Sequence, residues 1–147
     1  MLIKEMIEKK RVQFYKSFDS WEKAIYASYI PLLKDKSVNE DYVDLVINNV
    51  KKYGPYIIFT PHIAMPHAQE NSKGVYKNGI TLMKVEEPVV FDENDSEKTA
   101  NIFISLASAN HDIHLKYMKE LADFLLQNNN IDNLLKIKNI EDLKKLY

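Results

Sequence analysis

The stretch Thr60-Pro61-His62-Ile63-Ala64-Met65-Pro66-His67-Ala68 constrains this chain more than any other. Two histidines stand five residues apart in it, each directly behind a proline, with a short apolar run between them. Proline fixes its own φ and pushes the residue before it out of the helical region. The backbone at Thr60 and Met65 is therefore expected to be extended, so that a stiffened turn presents His67. The turn lies between two strand-like segments and is the candidate reactive site.

The rest of the chain is read outward from that turn. Leu2, Ile3, Met6 and Ile7 are spaced for a short first helix, and Val12, Phe14 and Phe18 alternate with Gln13 and Tyr15 as in a strand. Asp19 with Glu22 reads as a capping box opening a helix whose inner face is Trp21, Ala24, Ile25, Ser28, Tyr29 and Leu32. Pro31 should end or kink it near Ser28 to Ile30. Ser37 with Glu40 reads as a second capping box, followed by the stripe Tyr42, Leu45, Val46 and Val50 and a stop at Gly54.

Tyr56 to Phe59 is a continuous apolar run, expected to be a strand covered on both faces. Gln69 to Lys73 reads as an exposed polar loop. Ile80 to Val85 reads as a strand entered through a hairpin-like signal, Lys77-Asn78-Gly79. Glu86 to Glu97 is acidic, contains Pro88 and reads as a surface excursion. Ile102 to Ala107 is the strongest buried-strand candidate. A long helix is expected from about Asp112 to Gln127, broken by Asn128-Asn129-Asn130, with one or two short helices to close. Strands mixed with helices, several of the strands apolar throughout, give an α/β fold: one domain over residues 1–147, with helices on both faces of the sheet.

Composition narrows the chemistry. The chain has no cysteine, which removes disulfides, thiolate metal sites and cysteine nucleophiles, and fits a cytoplasmic setting. Net charge is −1 with no basic block, so nucleic acid is not an expected partner. The start, MLIKEMIEKKR, is charged throughout and does not read as a signal peptide. No apolar run approaches the roughly 20 residues that span a bilayer.

Four histidines remain to be weighed: His62, His67, His111 and His114. His114 shares a helical face with Met118, Leu121 and Leu125, whose offsets each fall within about 40° of one line at 100° per residue. It is the polar end of a core stripe, in the first turn of its helix, with Asn110 and Asp112 as possible caps. A helix N-terminus favours anions and disfavours imidazolium, so it would hold a phosphate and keep a nearby imidazole neutral. His114 follows the Ile102–Ala107 strand and His67 follows the Tyr56–Phe59 strand. If these strands are parallel neighbours, the two rings meet where crevices form in open α/β sheets. His111 reads as an exposed loop residue. His62 either adds a second imidazole to the turn or adds nothing.

Two chemistries suit facing histidines without cysteine, a Ser-His-Asp arrangement or a glycine-rich phosphate loop. One is metal binding through His62, His67 and a helix histidine, although the common zinc patterns are absent. The other is a histidine nucleophile, neutral near its ordinary pKa and able to attack phosphorus. Phosphoryl transfer mostly demands positioning and neutralisation of the equatorial oxygens, which a helix N-terminus and a second imidazole would supply.

The segment GPYIIFTPHIAMPHA, the early WEKAI followed by PLL, and the downstream HLxxMxxLAxFL together resemble enzyme IIA of the bacterial sugar phosphotransferase system. The likeness is to the mannitol/fructose type, and most to its ascorbate-type branch, from about Trp21 to the C-terminal leucines. The resemblance implies a mixed β-sheet flanked by helices, His67 as the phosphorylated histidine and His114 as the second active-site histidine. It implies no metal and no bound cofactor. The implied partners are HPr as phosphoryl donor and a cysteine of a cognate IIB component (EIIB) as acceptor, with the membrane reached only indirectly through a IIC component that selects the carbohydrate. An ascorbate or pentitol-like substrate fits the branch. The branch has glycine where this chain has His62, which puts the turn geometry in question. A IIA-like module that signals its phosphorylation state is the alternative, and Tyr-rich surfaces leave room for a homodimer.

Overall fold

The computed structural model describes residues 2–70 and 72–147. The expected polar loop Gln69–Lys73 includes Asn71, which lies outside the described residues. Among the described residues the elements run α1 (Leu2–Glu8), β1 (Val12–Tyr15), α2 (Trp21–Ser28), α3 (Ile30–Lys34), α4 (Glu40–Tyr53), β2 (Ile58–Thr60) and β3 (His62–Ala64). They continue with β4 (Gly79–Val90), β5 (Thr99–Ala107), α5 (His111–Leu125), α6 (Asn130–Lys136) and α7 (Ile140–Leu146).

The strands form one mixed sheet in the order β1-β4-β5-β3-β2. β1 pairs parallel with β4, β4 antiparallel with β5, β5 parallel with β3, and β3 antiparallel with β2. Helices cover both faces, as the sequence led us to expect. Along β5, Ile102, Ile104 and Leu106 enter one core with Leu121, Leu125, Leu134 and Leu143, while Ala100, Phe103 and Ala107 enter the other with Ile25, Tyr42 and Val46. Because both faces are buried, the strand reads as a continuous apolar run. The polar exceptions are satisfied. Thr81 Oγ1 donates to the Ser28 carbonyl at 2.8 Å, and Ser105 Oγ donates to Ser28 Oγ at 2.6 Å, tying α2 to the sheet.

Several local expectations change in the structure. The α2 cap is Ser20, not Asp19, and the α4 cap is Asn39, not Ser37: each has the extended backbone a cap needs and accepts an N–H three residues on. Ser37 is instead buried, bonded to the Asp35 carboxylate. Phe18 lies beyond β1, packed against the core from the following loop. The strand expected at Tyr56–Phe59 is Ile58–Thr60. It is a half-buried edge strand and not a doubly covered one. Lys77-Asn78-Gly79 is not a hairpin turn: Gly79 opens β4 opposite Ala107, and the hairpin partner of β4 is β5. β4 also runs through the expected acidic excursion as far as Val90, with a register shift between Lys84 and Val89 that accommodates Pro88, which has no N–H to give the ladder. The long helix begins one residue early and ends at Leu125, followed by positive φ at Asn128 and Asn129.

Gly54 stops α4 with φ +83 as expected, its N–H bonded to the Val50 carbonyl. Gly74 has the tighter requirement. At φ +90, a β-carbon there would lie 2.2 Å from Asn39 Oδ1, the cap of α4, and 2.9 Å from the backbone nitrogen of Tyr42. Gly74→Ala combines backbone strain with loss of the cap and should cost about 2 kcal/mol in urea unfolding. A loss below about 0.5 kcal/mol would show that the contact is not rigid.

Candidate active site

Pairing of β3 with β5 decides where the histidines go. Both strands run the same way, so Met65-Pro66-His67 and the start of α5 leave the sheet at the same end. The ring centroids of His67 and His114 are 5.6 Å apart with 48° between planes. The two rings therefore meet as the sequence implied, by a different route: the parallel neighbour of β5 is the short strand β3, not the segment before the first proline.

His67 is half-buried and its Nδ1 lies 2.7 Å from the Met65 carbonyl oxygen. A carbonyl can only accept, so in the neutral ring the proton sits on Nδ1 and the lone pair on Nε2. Tyr56 stands edge-on to the same ring at 5.4 Å, and its hydroxyl donates to the His67 carbonyl. Burial depresses the His67 pKa below its ordinary 6.5, opposed by the Met65 carbonyl and reinforced by the charge His114 would carry. The ring is thus held neutral through the physiological range.

The sign of the linked stability effect follows. Below pH 6.5 the unfolded chain binds a proton at this position more readily than the folded one, so stability falls with pH until the folded ring also protonates. His67→Gln should flatten that part of the profile, as melting curves collected between pH 5 and pH 7 would show.

His114 lies in the first turn of α5 with Nδ1 3.3 Å from Ser108 Oγ. Asn110 caps the helix, its Oδ1 accepting the Ile113 N–H at 3.0 Å. Of the two caps considered, it is Asn110 that serves. His111 is the exposed first residue of α5, and its Nδ1 lies 2.8 Å from Glu70 Oε1, a contact that holds the Glu70 carboxyl below its usual range.

His62 is not part of this site. It opens β3 opposite Ala100, at the other end of the strand, with Nδ1 3.0 Å from Asn101 Oδ1. Its φ of +80 is a conformation glycine adopts freely and histidine adopts at a cost of order 1 kcal/mol. The three-histidine metal set considered above is therefore not assembled. Among the described residues, no group of three or more His, Asp or Glu side chains is placed to hold a metal ion.

Sequence reasoning missed the residues that hold the turn. Tyr29 and Tyr42 are fully buried on helical stripes and read there as core. Tyr29 Oη lies 2.9 Å from the carbonyls of both Pro66 and Leu106. Tyr42 Oη donates to the Leu106 carbonyl at 3.0 Å and accepts the Ala68 N–H at 3.1 Å. The Leu106 N–H in turn donates to the Pro66 carbonyl at 3.0 Å. Burial pushes the Tyr42 hydroxyl up to about 12, so it stays protonated. A hydroxyl on each of two apolar stripes was the available signal, because buried phenols find polar partners.

Asn49, Tyr53, Tyr56 and Gln69 join the two histidines in lining a shallow, open depression. A ring so placed can form a covalent bond through Nε2 and release it, and the open mouth admits another protein's surface. Fold and site together have the form of a group carrier, not of an enzyme that encloses its substrate.

Comparison with known proteins agrees. Residues 5–146 match the family model described as phosphoenolpyruvate-dependent sugar phosphotransferase system, EIIA 2. The chain is 37% identical over 103 residues to the ascorbate-specific PTS system EIIA component of Mycoplasma pneumoniae, a match covering 70% of this chain and 63% of that protein. It is 28% identical over 135 residues to the mannitol-specific cryptic phosphotransferase enzyme IIA component of Escherichia coli K12, covering 92% of this chain and 90% of the relative. The solution structure of the E. coli mannitol-specific cryptic enzyme IIA superposes with a TM-score of 0.87 at 27% identity, covering 99% of this chain and 97% of that one. The E. coli complex of enzyme IIA mannitol with phosphorylated IIB shares the fold, with a TM-score of 0.77 at 22% identity over 93% of each chain. The chain belongs to the EIIA 2 family of the sugar phosphotransferase system. It is a phosphotransferase component, one that carries a phosphoryl group.

Proposed function

We propose that Nε2 of His67 accepts a phosphoryl group from the phosphohistidine of an HPr-type donor and passes it to a cysteine of a cognate IIB component, in the cytoplasm, for carbohydrate uptake. The observation that carries this reading is the tautomer: Nδ1 is tied to the Met65 carbonyl, so only Nε2 has a lone pair to give.

The steps balance on that atom. The Nε2 lone pair forms the N–P bond as the donor's N–P bond breaks, and the electron pair of the broken bond returns to the donor imidazole. His67 gains positive charge in the attack, which the Met65 carbonyl stabilises through Nδ1–H. Onward, a thiolate sulfur bonds to phosphorus and the N–P pair returns to Nε2. His114, whose ring centroid stands 5.6 Å from that of His67, would donate to the phosphoryl oxygens and offset their charge. His114→Ala should still accept phosphate and transfer it about 10²-fold more slowly.

The ascorbate-specific names of the Mycoplasma and E. coli relatives support ascorbate as the carbohydrate served. The fit with a cytoplasmic component is that no described helix is long and apolar enough to cross a membrane.

The test is phosphorylation by phosphoenolpyruvate, enzyme I and HPr, followed by addition of purified IIB. Acid-labile, base-stable label that moves to IIB is expected. Absence of label overturns the reading, and label that never moves to a IIB leaves the signalling module as the better description.

A further inference from the structure

An opening larger than the depression at His67 lies elsewhere among the described residues. At the other end of β3 lies a cleft of about 690 Å³, with His62 and Asn101 on its strand side and Phe14, Leu135 and Ile137 as apolar wall. Lys16, Lys84, Lys136 and Lys138 line it against a single carboxylate, Glu86, in a chain whose net charge is −1.

Lys84 is the central group. It is half-buried, and its Nζ donates to the carbonyls of Leu135 at 2.8 Å and Ile137 at 2.7 Å. Those carbonyls orient the ammonium without neutralising it, and one N–H of its three remains. Among the described residues Lys84 forms no ion pair. Glu86 acts on this partly desolvated cation only from beyond ion-pair distance, and an anion bound directly in the cleft would relieve it further.

His62 supplies an independent observation. Its positive φ is a strained backbone position, occupied by a ring that lines the cleft. Asn101 Nδ2 donates to the carbonyls of Val85 and Glu86, both at 3.1 Å, so its Oδ1 is the acceptor facing His62. His62 Nδ1 is then the donor, and Nε2 of the neutral ring is left to accept. An acceptor beside a lysine cluster fits a hydroxyl next to a phosphate.

We propose that this cleft is a second ligand site, separate from the histidine pair, which takes a small phosphorylated polyhydroxy compound: phosphate on Lys84 and the rim lysines, a hydroxyl on His62, and its carbon body against Phe14 and Ile137.

The test is titration of the full chain with glycerol 3-phosphate, inorganic phosphate and glycerol at fixed ionic strength, followed by backbone amide shifts. Saturable shifts at Lys84, Asn101 and Ile137 are expected with glycerol 3-phosphate, weaker ones with inorganic phosphate and none with glycerol. Lys16→Gln combined with Lys138→Gln changes only exposed side chains, and should weaken glycerol 3-phosphate binding about tenfold or more while phosphorylation of His67 is unchanged. His67→Ala should bind it with unaltered affinity, so this proposal and the phosphocarrier reading fail separately. Shifts that do not saturate, equal shifts with glycerol, or full affinity in the double lysine variant would overturn the site.

Discussion

His67→Ala should accept no phosphoryl group from the phosphoenolpyruvate, enzyme I and HPr chain, at any incubation time. The other three histidines do not substitute. His114 is anchored on α5 and not in the turn, and His62 and His111 lie outside the depression. The variant should fold normally. It gives up one hydrogen bond, worth about 1 kcal/mol, and with it a partly desolvated imidazole that the fold otherwise has to accommodate. An unchanged melting temperature together with complete loss of label is therefore the expected pair of results. Label retained in His67→Ala would move the nucleophile to another ring.

The second large effect should come from a residue that touches no substrate. Tyr42→Phe removes one of two phenol contacts to the Leu106 carbonyl and leaves the buried Ala68 N–H without an acceptor. An orphaned buried donor costs about 1–3 kcal/mol, and a shift of roughly 2–4 °C in melting temperature accompanies each kcal/mol in a domain of this size. The effect on transfer should be larger in proportion. His67 and Ala68 are adjacent, and misplacement of a reacting group by about 1 Å can cost 10²-fold. Tyr29→Phe should be milder, because the Leu106 N–H still holds the Pro66 carbonyl and Tyr42 still holds Leu106. A loss in transfer rate at saturating donor, with little change in the donor concentration required, would mark a positioning role. Equal rates in Tyr42→Phe and the unmodified protein would show that the turn holds its shape without that hydroxyl.

Much of this site could be read directly from the residues. The two prolines announced a stiff turn, and the stripe from His114 to Leu125 put one imidazole at a helix start. The apolar run Ile102–Ala107 announced a strand buried on both sides. Strand pairing was less accessible, because β2 and β3 are three residues each and too short to show a period. The apolar run at Tyr56 is shared between a turn and an edge strand, so its hydrophobicity did not reveal its place in the sheet. Caps shifted by one or two residues for a local reason: several polar residues precede each helix, and backbone conformation chooses among them. The tyrosine clamp stayed hidden because a phenol on a helical stripe resembles any other aromatic core residue until its hydroxyl's partner is known. The cleft beside His62 combines residues from five separate stretches of chain, which no local pattern announces.

The two imidazoles are mounted on opposite layers of the molecule. His67 is fastened by phenols belonging to the α2–α4 side, whereas His114 rides on α5, across the sheet. Their gap is therefore a caliper opening between two slabs. A visitor pressing on α5 alone would shift one jaw and leave His67 where it stands.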